Sequence, residues 1–558
     1  MSFPSSPPPH AGSGRLLVIA AAATLSALLV LWGTTWPLGI PGEWTWDRIP
    51  ADPLLPFSAI QAAIAAGIFV TVGLFGDRRF AEASRRERLG WIAAASVAAM
   101  VWSWTVIALT PSPWNGGRAT WVLYYPGPSG YYTEARSTSD RWQYLAHYDE
   151  KVAEGDVLHI GTHPPGLVIA YWLLDSIRVN GPGVDALLAA TQPTEAAEWW
   201  SLIQEQTAAA PVRPPPDDGR LLWFAAAVVW LLGLATAWPL GWLVSRSVGP
   251  TAGWRTALLW PAIPALAIFW PKSDGILPFF GMTTIALYVS AWDGRSWLRA
   301  ALAGLVAFAG VMLTLGLLPS LFWLGVWTAG QVVLALRHGT TGSLLRNRVW
   351  VVPLVAAGSF LLLTGVASSV MSLNLPAVWL GNLRNHAAFY DHFPRSYFGW
   401  LLVNPVELLF ALGLPVGVVA IGQIVALFRG RRAGSRLPAC DQETSPQHGD
   451  RVPPDADNPR IEGKNDAPGR QAGACPTLWC DLLLPTLVTF AVLWLTGKNS
   501  GEAARLWQFQ FPWWLALTAA AWPDGRTSRL WLMLWILQLV ACAATVWRVA
   551  GFQVAGAG

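Results

Sequence analysis

Four short stretches of this 558-residue chain concentrate the side chains that can move a proton or hold an anion. The first, Asp140 to Gly166, reads DRWQYLAHYDEKVAEGDVLHIGTHPPG. With Glu134 just upstream, it gathers Asp140, Asp149, Glu150, Asp156, His159 and His163. The second is Pro271-Lys272-Ser273-Asp274. The third, NLRNHAAFYDHFPRSY (382–397), holds Arg384, His386, Asp391, His392 and Arg395. The fourth, GKNSGEAARLW (497–507), holds Lys498, Glu502 and Arg505. A carboxylate within hydrogen-bond reach of a hydroxyl can remove its proton as a general base. Lysine and arginine stabilise charge on a departing oxyanion or phosphate, and count for more where water is scarce. Any one stretch is what a solvated loop ordinarily carries. Together they matter only if the chain brings them to one place.

The elements that must position them are membrane helices. Hydrophobic residues make up 53% of the chain and charged residues 13%, against about 25% charged in a typical soluble protein. The 36 tryptophans suit the membrane–water interface, where the ring is apolar and the N–H is solvated. A formal charge of +4 is too small to argue for a nucleic-acid partner. Apolar runs predict spans at 16–32, 57–75, 91–109, 221–244, 256–271, 275–292, 299–316, 318–336, 349–371, 406–428, 481–497, 511–523 and 529–549. The 256–271 segment is short and carries Pro261 and Pro264, and 511–523 is short as well, so eleven to thirteen spans are expected. A proline-broken segment is tolerated in a bilayer only where protein or a cavity satisfies the freed backbone groups.

Charge sets the threading. GDRRFAEASRRERLG (76–90) carries five arginines in 15 residues, whereas the 111 residues of 110–220 carry seven Arg and Lys. The positive-inside rule therefore places 76–90 in the cytosol and 110–220 outside. Gly166 to Ile177 is only about twelve apolar residues, short of the ~20 that a span needs, and is read as an interfacial helix on the outer side. All four polar stretches then face outward. The expected layout is a disordered N-terminus (1–15), a transmembrane core (16–428) with external loop 110–220, a disordered cytosolic linker (429–480) and C-terminal helices (481–558). Cys440, Cys475 and Cys480 fall in or at the end of the linker and Cys542 in an apolar helix, with no CxxC spacing.

The external loop resembles that of the GT-C superfamily of integral-membrane glycosyltransferases, which includes protein O-mannosyltransferases and lipid A aminoarabinose transferases. The resemblance lies in Asp140 opening the stretch, Tyr144 four residues on, and the His163-Pro164-Pro165 turn that closes it. Asp274 resembles the second acidic position of that superfamily. Gly501, Glu502, Arg505 and Trp507 (GExxRxW) resemble a late motif of bacterial members. The resemblance implies transfer of a sugar from a polyprenyl-phosphate donor to a hydroxyl on a glycan, lipid or protein, at the outer face of a bacterial cytoplasmic membrane. Asp140 is then the expected base and Glu134 the alternative, because this loop lacks the Asp-Glu pair of many members. Tyr144, His163, Lys272, Asp274, Arg384, His386, Arg395, Glu502 and Arg505 are the expected substrate contacts. Arg505 leads for phosphate because a guanidinium grips it in bidentate fashion.

No cofactor is specified by the sequence. Asp140 and Asp274 are the pair that could share a divalent metal, although no ligand spacing demands one. Two other readings stay open. A secondary transporter or lipid flippase would place ionisable groups near the bilayer midplane, whereas Lys272, Asp274 and Glu407 lie at predicted span ends. A non-catalytic membrane scaffold needs none of this chemistry.

Overall fold

The structure, a computed structural model, describes residues 13–209, 213–337, 343–434, 482–519, 521–522 and 528–553. Most of the expected N-terminal tail and most of the linker, with Cys440, Cys475 and Cys480, lie outside the described residues. Eight described helices are long and apolar enough to cross a bilayer: Gly14–Gly33, Leu55–Arg79, Arg85–Ala108, Asp218–Ser247, Ser273–Gly294, Leu315–Leu334, Val349–Val370 and Arg529–Val546. A ninth follows if Tyr397–Leu412 and Leu414–Arg429, bent by 116°, are one broken span. The chain is a polytopic helical membrane protein.

The count differs from the expected eleven to thirteen because several apolar runs do not form one long helix. Trp297–Leu313 and Leu484–Leu495 are helical but shorter, and 511–523 yields only Phe511–Ala519. The 256–271 run is broken into helix Pro250–Leu259, a 3-10 turn Trp260–Ala262 and helix Pro264–Ile268. Pro261 and Pro264 remove two donors, and Pro264 pushes the residue before it off helix: Ile263 is extended, at ψ 118°. Side chains meet the carbonyls left over. Trp102 Nε1 donates to Pro261 O (3.2 Å), Gln538 Nε2 to Ala262 O (2.9 Å) and Arg118 Nη2 to Ala267 O (2.5 Å). Irregular backbone in lipid survives on such terms.

Gln538 also serves the second break. Its Nε2 donates to Leu412 O (3.0 Å) beside Gly413. Gly413 has φ 95°, and a Cβ there would lie 2.1 Å from that amide nitrogen. Tryptophan likewise does more than mark an interface. Trp254, Trp260, Trp270 and Trp547 are buried, and each donates its indole N–H to a helix carbonyl: Gly73, Gly233, Ala226 and Val106. In a core without water these bonds replace what solvent would have supplied.

The helix ends sort into two faces. At the arginine-rich end, Arg255 pairs with Asp77 at 2.8 Å with both side chains buried, and its Nη1 reaches Trp522 O. Arg246 and Asp293 pair at the same end, joining the ends of two further spans (2.9 Å). The opposite end holds the short helices between Arg118 and Gln206. Helix Gly166–Asn180 does not cross. Asp175, near its C-terminus, pairs with Arg136 (2.8 Å) and Arg178 (2.7 Å), and Arg136 pairs with Asp218 (2.5 Å), the first residue of a span. Both of its ends therefore stay on one face, as its length predicts. Gly166 is required at its start, because a Cβ there would sit 2.1 Å from Met312 O.

Candidate functional site

The His163 turn is built by its neighbours in the loop and by helix Leu375–His392. The Asp156 carboxylate accepts from the N–H groups of Leu158 (2.9 Å), His159 (3.1 Å) and Gly161 (3.2 Å), which folds the short 3-10 turn Ile160–Thr162. Those donors outweigh its burial and hold the carboxyl below the usual range. Tyr148 donates to His163 O (2.9 Å), and Asn382 Nδ2 donates to Gly161 O (2.8 Å). Asn385 Nδ2 binds Val152 O (2.8 Å). Two asparagines of the third stretch thus lock the first in place.

Against this turn the structure sets the second and fourth stretches. Arg505 stands 3.4 Å from Asp274 and 2.8 Å from Glu502. Lys272 donates to Pro128 O, and Arg505, Asp274 and Glu502 are the charges that act on it. Burial, aided by Arg505, pulls the Lys272 ammonium down to about 7. Burial also opposes the Arg505 guanidinium, but Glu502 and Asp274 outweigh it and hold it above the ordinary arginine value. His159 is pushed down to about 3 by burial and the Lys272 charge, and His163 to about 4 by burial despite Asp274. Both imidazoles are neutral at physiological pH and act as hydrogen-bonding groups. His386 comes from the third stretch, where burial and Lys498 lower it. Tyr131 lies against His163 with ring centroids 5.5 Å apart, and Asp274 and Arg505 both act on its hydroxyl.

Of the expected contacts, His163, Lys272, Asp274, His386, Glu502 and Arg505 come together. The others stand apart. Asp140 is exposed and caps helix Arg141–Ala146, accepting from Trp142 and Gln143 N–H at 3.0 Å each. Its carboxylate is occupied by its own helix terminus, and it is not among the charges that act on Lys272, His163 or Arg505. Glu134 lies beside Tyr144 and Tyr148 and pairs with Lys151 at 3.6 Å, and it is not among the charges that act on Lys272, His163 or Arg505. Arg384 is exposed. Arg395 serves the hairpin Leu38–Ile40/Trp44–Trp46: it donates to Glu43 O (2.6 Å) and its guanidinium lies 5.6 Å over the Trp44 ring. Among the described residues no group of three or more His, Cys, Asp or Glu side chains is arranged to hold a metal ion.

Beside the charged cluster lies an apolar cavity of about 530 Å³, walled by Val30, Leu38, Trp46, Val406 and Phe410. Glu407 and Ala504 line it as well, and Ala504 adjoins Arg505 in sequence. Glu407 accepts from Trp46 Nε1, while its other oxygen is buried without a hydrogen-bond partner among the described residues. Gln508 and Gln510, on the turn after Arg505, were missed in the sequence reading. Two amides in the apolar run WQFQFPWW were the available signal. Comparison with protein-family models, curated proteins and solved structures finds no match to this chain.

Proposed function

We propose that the chain is a membrane transferase that takes a sugar from a polyprenyl-phosphate donor at the outer face of the membrane and passes it to a hydroxyl acceptor. The observation that carries this reading is adjacency. A cluster of two cations and two carboxylates, with Lys272 and Asp274 buried and Arg505 and Glu502 half-buried, stands next to an apolar cavity within the size of ordinary ligand sites. A lipid phosphate needs both halves. Its chain lies in the cavity and its phosphate reaches Arg505 and Lys272 past Ala504. Asp274 takes the role of base that the family resemblance implies for Asp140. Its Oδ2 is buried without a hydrogen bond among the described residues, and phosphate binding draws Arg505 away from it.

In the reaction, Asp274 Oδ2 receives the acceptor's hydroxyl proton as the acceptor oxygen bonds to the sugar C1. The C1–O bond to phosphate breaks, and its electron pair leaves on the phosphate, where Arg505 and Lys272 stabilise the added charge. The neutral His163 and His159 offer the substrate uncharged hydrogen-bonding groups.

The test is transfer from a radiolabelled polyprenyl-phosphate sugar to membrane acceptors in proteoliposomes. Asp274→Asn is expected to lose at least a hundredfold in rate, the scale of general-base loss, while Asp140→Asn stays within twofold of the parent. Full turnover by Asp274→Asn sinks the assignment. A second reading, a lipid flippase, is favoured by one feature: Glu407 is an ionisable side chain in the wall of an apolar cavity. It predicts translocation of the lipid with the sugar–phosphate bond intact.

A further inference from the structure

We infer that Gln508 and Gln510 form a subsite for the hydroxyl groups of the sugar, beside the Asp274–Arg505 pair; this rests on the transferase reading. Both residues lie on the turn Gln508–Gln510, two residues beyond the helix Ala503–Leu506 that carries Arg505. They are 1% and 0% exposed, and all four amide atoms lack a hydrogen-bond partner among the described residues. Buried amides with nothing to bind are costly, and native structures rarely keep them without a use. Two of them, two residues apart, present two acceptors and two sets of donors.

Their position says what they fit. Gln508 lines a small void with Gly275, the residue after Asp274, and with Gly233 and Trp270. That void is about 10 Å³, room for one hydroxyl or water and not for a ring. The ring therefore lies on the Asp274 side, where a hydroxyl reaches the Gln508 amide, and Gln510 joins it from the same turn. An amide is neutral and offers both donor and acceptor, which matches a hydroxyl and gives no preference for phosphate. The site is thereby divided: Arg505 and Lys272 take the charge, and the glutamines read the polyol.

The experiment compares the parent chain with Gln508→Leu, Gln510→Leu and the double variant, all full length in detergent. Thermal unfolding is measured, as is binding of polyprenyl-phosphate glucose, polyprenyl-phosphate mannose and the sugar-free polyprenyl methyl phosphate. All three lipids are phosphodiesters, so their charge is equal. The parent is expected to bind at least one sugar ester about tenfold more tightly than the methyl ester, the worth of one or two net hydrogen bonds. The variants lose that preference, bind the methyl ester as before, and unfold at the same temperature or higher, since leucine removes unmet polar atoms. A lowered unfolding midpoint with the preference intact makes the amides structural and overturns the inference. So does a parent that binds the methyl ester as tightly as the sugar esters; in both cases the transferase reading stands. A parent that binds none of the three lipids contradicts both.

Discussion

Lys272 gives the site a pH dependence that can be worked out in advance. In the unliganded protein its ammonium titrates at about 7, pulled down first by burial and then by Arg505. A bound phosphodiester raises it, because an anion in contact favours the charged form. Affinity for the anion therefore depends on the fraction of Lys272 already protonated. That fraction is about nine-tenths at pH 6 and about one-tenth at pH 8, so Kd rises by about tenfold across the interval. The sign is fixed: binding weakens as pH rises. A phosphodiester ligand keeps its own charge constant over this range, and His159 at about 3 and His163 at about 4 are neutral throughout. Asp274, Glu502 and Arg505 are the other charged groups that act on Lys272. The assay is binding of a short-chain polyprenyl phosphodiester to the detergent-solubilised protein from pH 6 to pH 8. Lys272→Arg should bind with a flat profile, and Lys272→Met should also give a flat profile but bind more weakly than the parent does even at pH 8. A flat profile for the parent, or a slope that persists in Lys272→Arg, refutes the reasoning.

Two further predictions concern the scaffold. Arg255→Met strands Asp77 without its cation in a buried place, a loss of about 3–5 kcal/mol. Thermal unfolding should show it, with most of the stability regained in the double variant Arg255→Met/Asp77→Leu. Gly166→Val places a Cβ 2.1 Å from Met312 O, a backbone atom that cannot give way. The variant should lose its monodisperse peak in fluorescence-detected size exclusion; a Gly166→Ala protein as stable as the parent would contradict the packing argument.

Much of the fold was legible in the chain because lipid enforces simple rules. Length and apolarity found the eight long helices, and the five arginines of 76–90 marked the end where Arg255 meets Asp77. The short apolar length of 166–177 rightly kept that helix on one face. What the sequence could not show was how the broken segments are held. Gln538 sits in an apolar helix and looks like any tolerated polar residue, yet it supports the breaks at Ala262 and Leu412, far away in the chain. The candidate site divides in the same way. Residues anchored in short turns next to spans (His163, Lys272, Asp274, Glu502, Arg505) have little freedom and converge. Asp140 and Arg384 were chosen by type and spacing, but neither pattern records which way a side chain faces. Asp140 went to its own helix cap, the ordinary fate of an aspartate before a helix.

The most direct measurement is photo-crosslinking with a polyprenyl phosphate bearing one diazirine on its chain, mapped by peptide mass spectrometry with unlabelled lipid as competitor. The account predicts competed adducts on 26–31, 402–411 and 545–549, the walls of the cavity beside Arg505, and their loss in Arg505→Ala. Competed adducts confined to the lipid-facing helix Val349–Val370, or adducts in the cavity that survive Arg505→Ala unchanged, would contradict the claim that the charged cluster and the cavity hold one lipid phosphate between them.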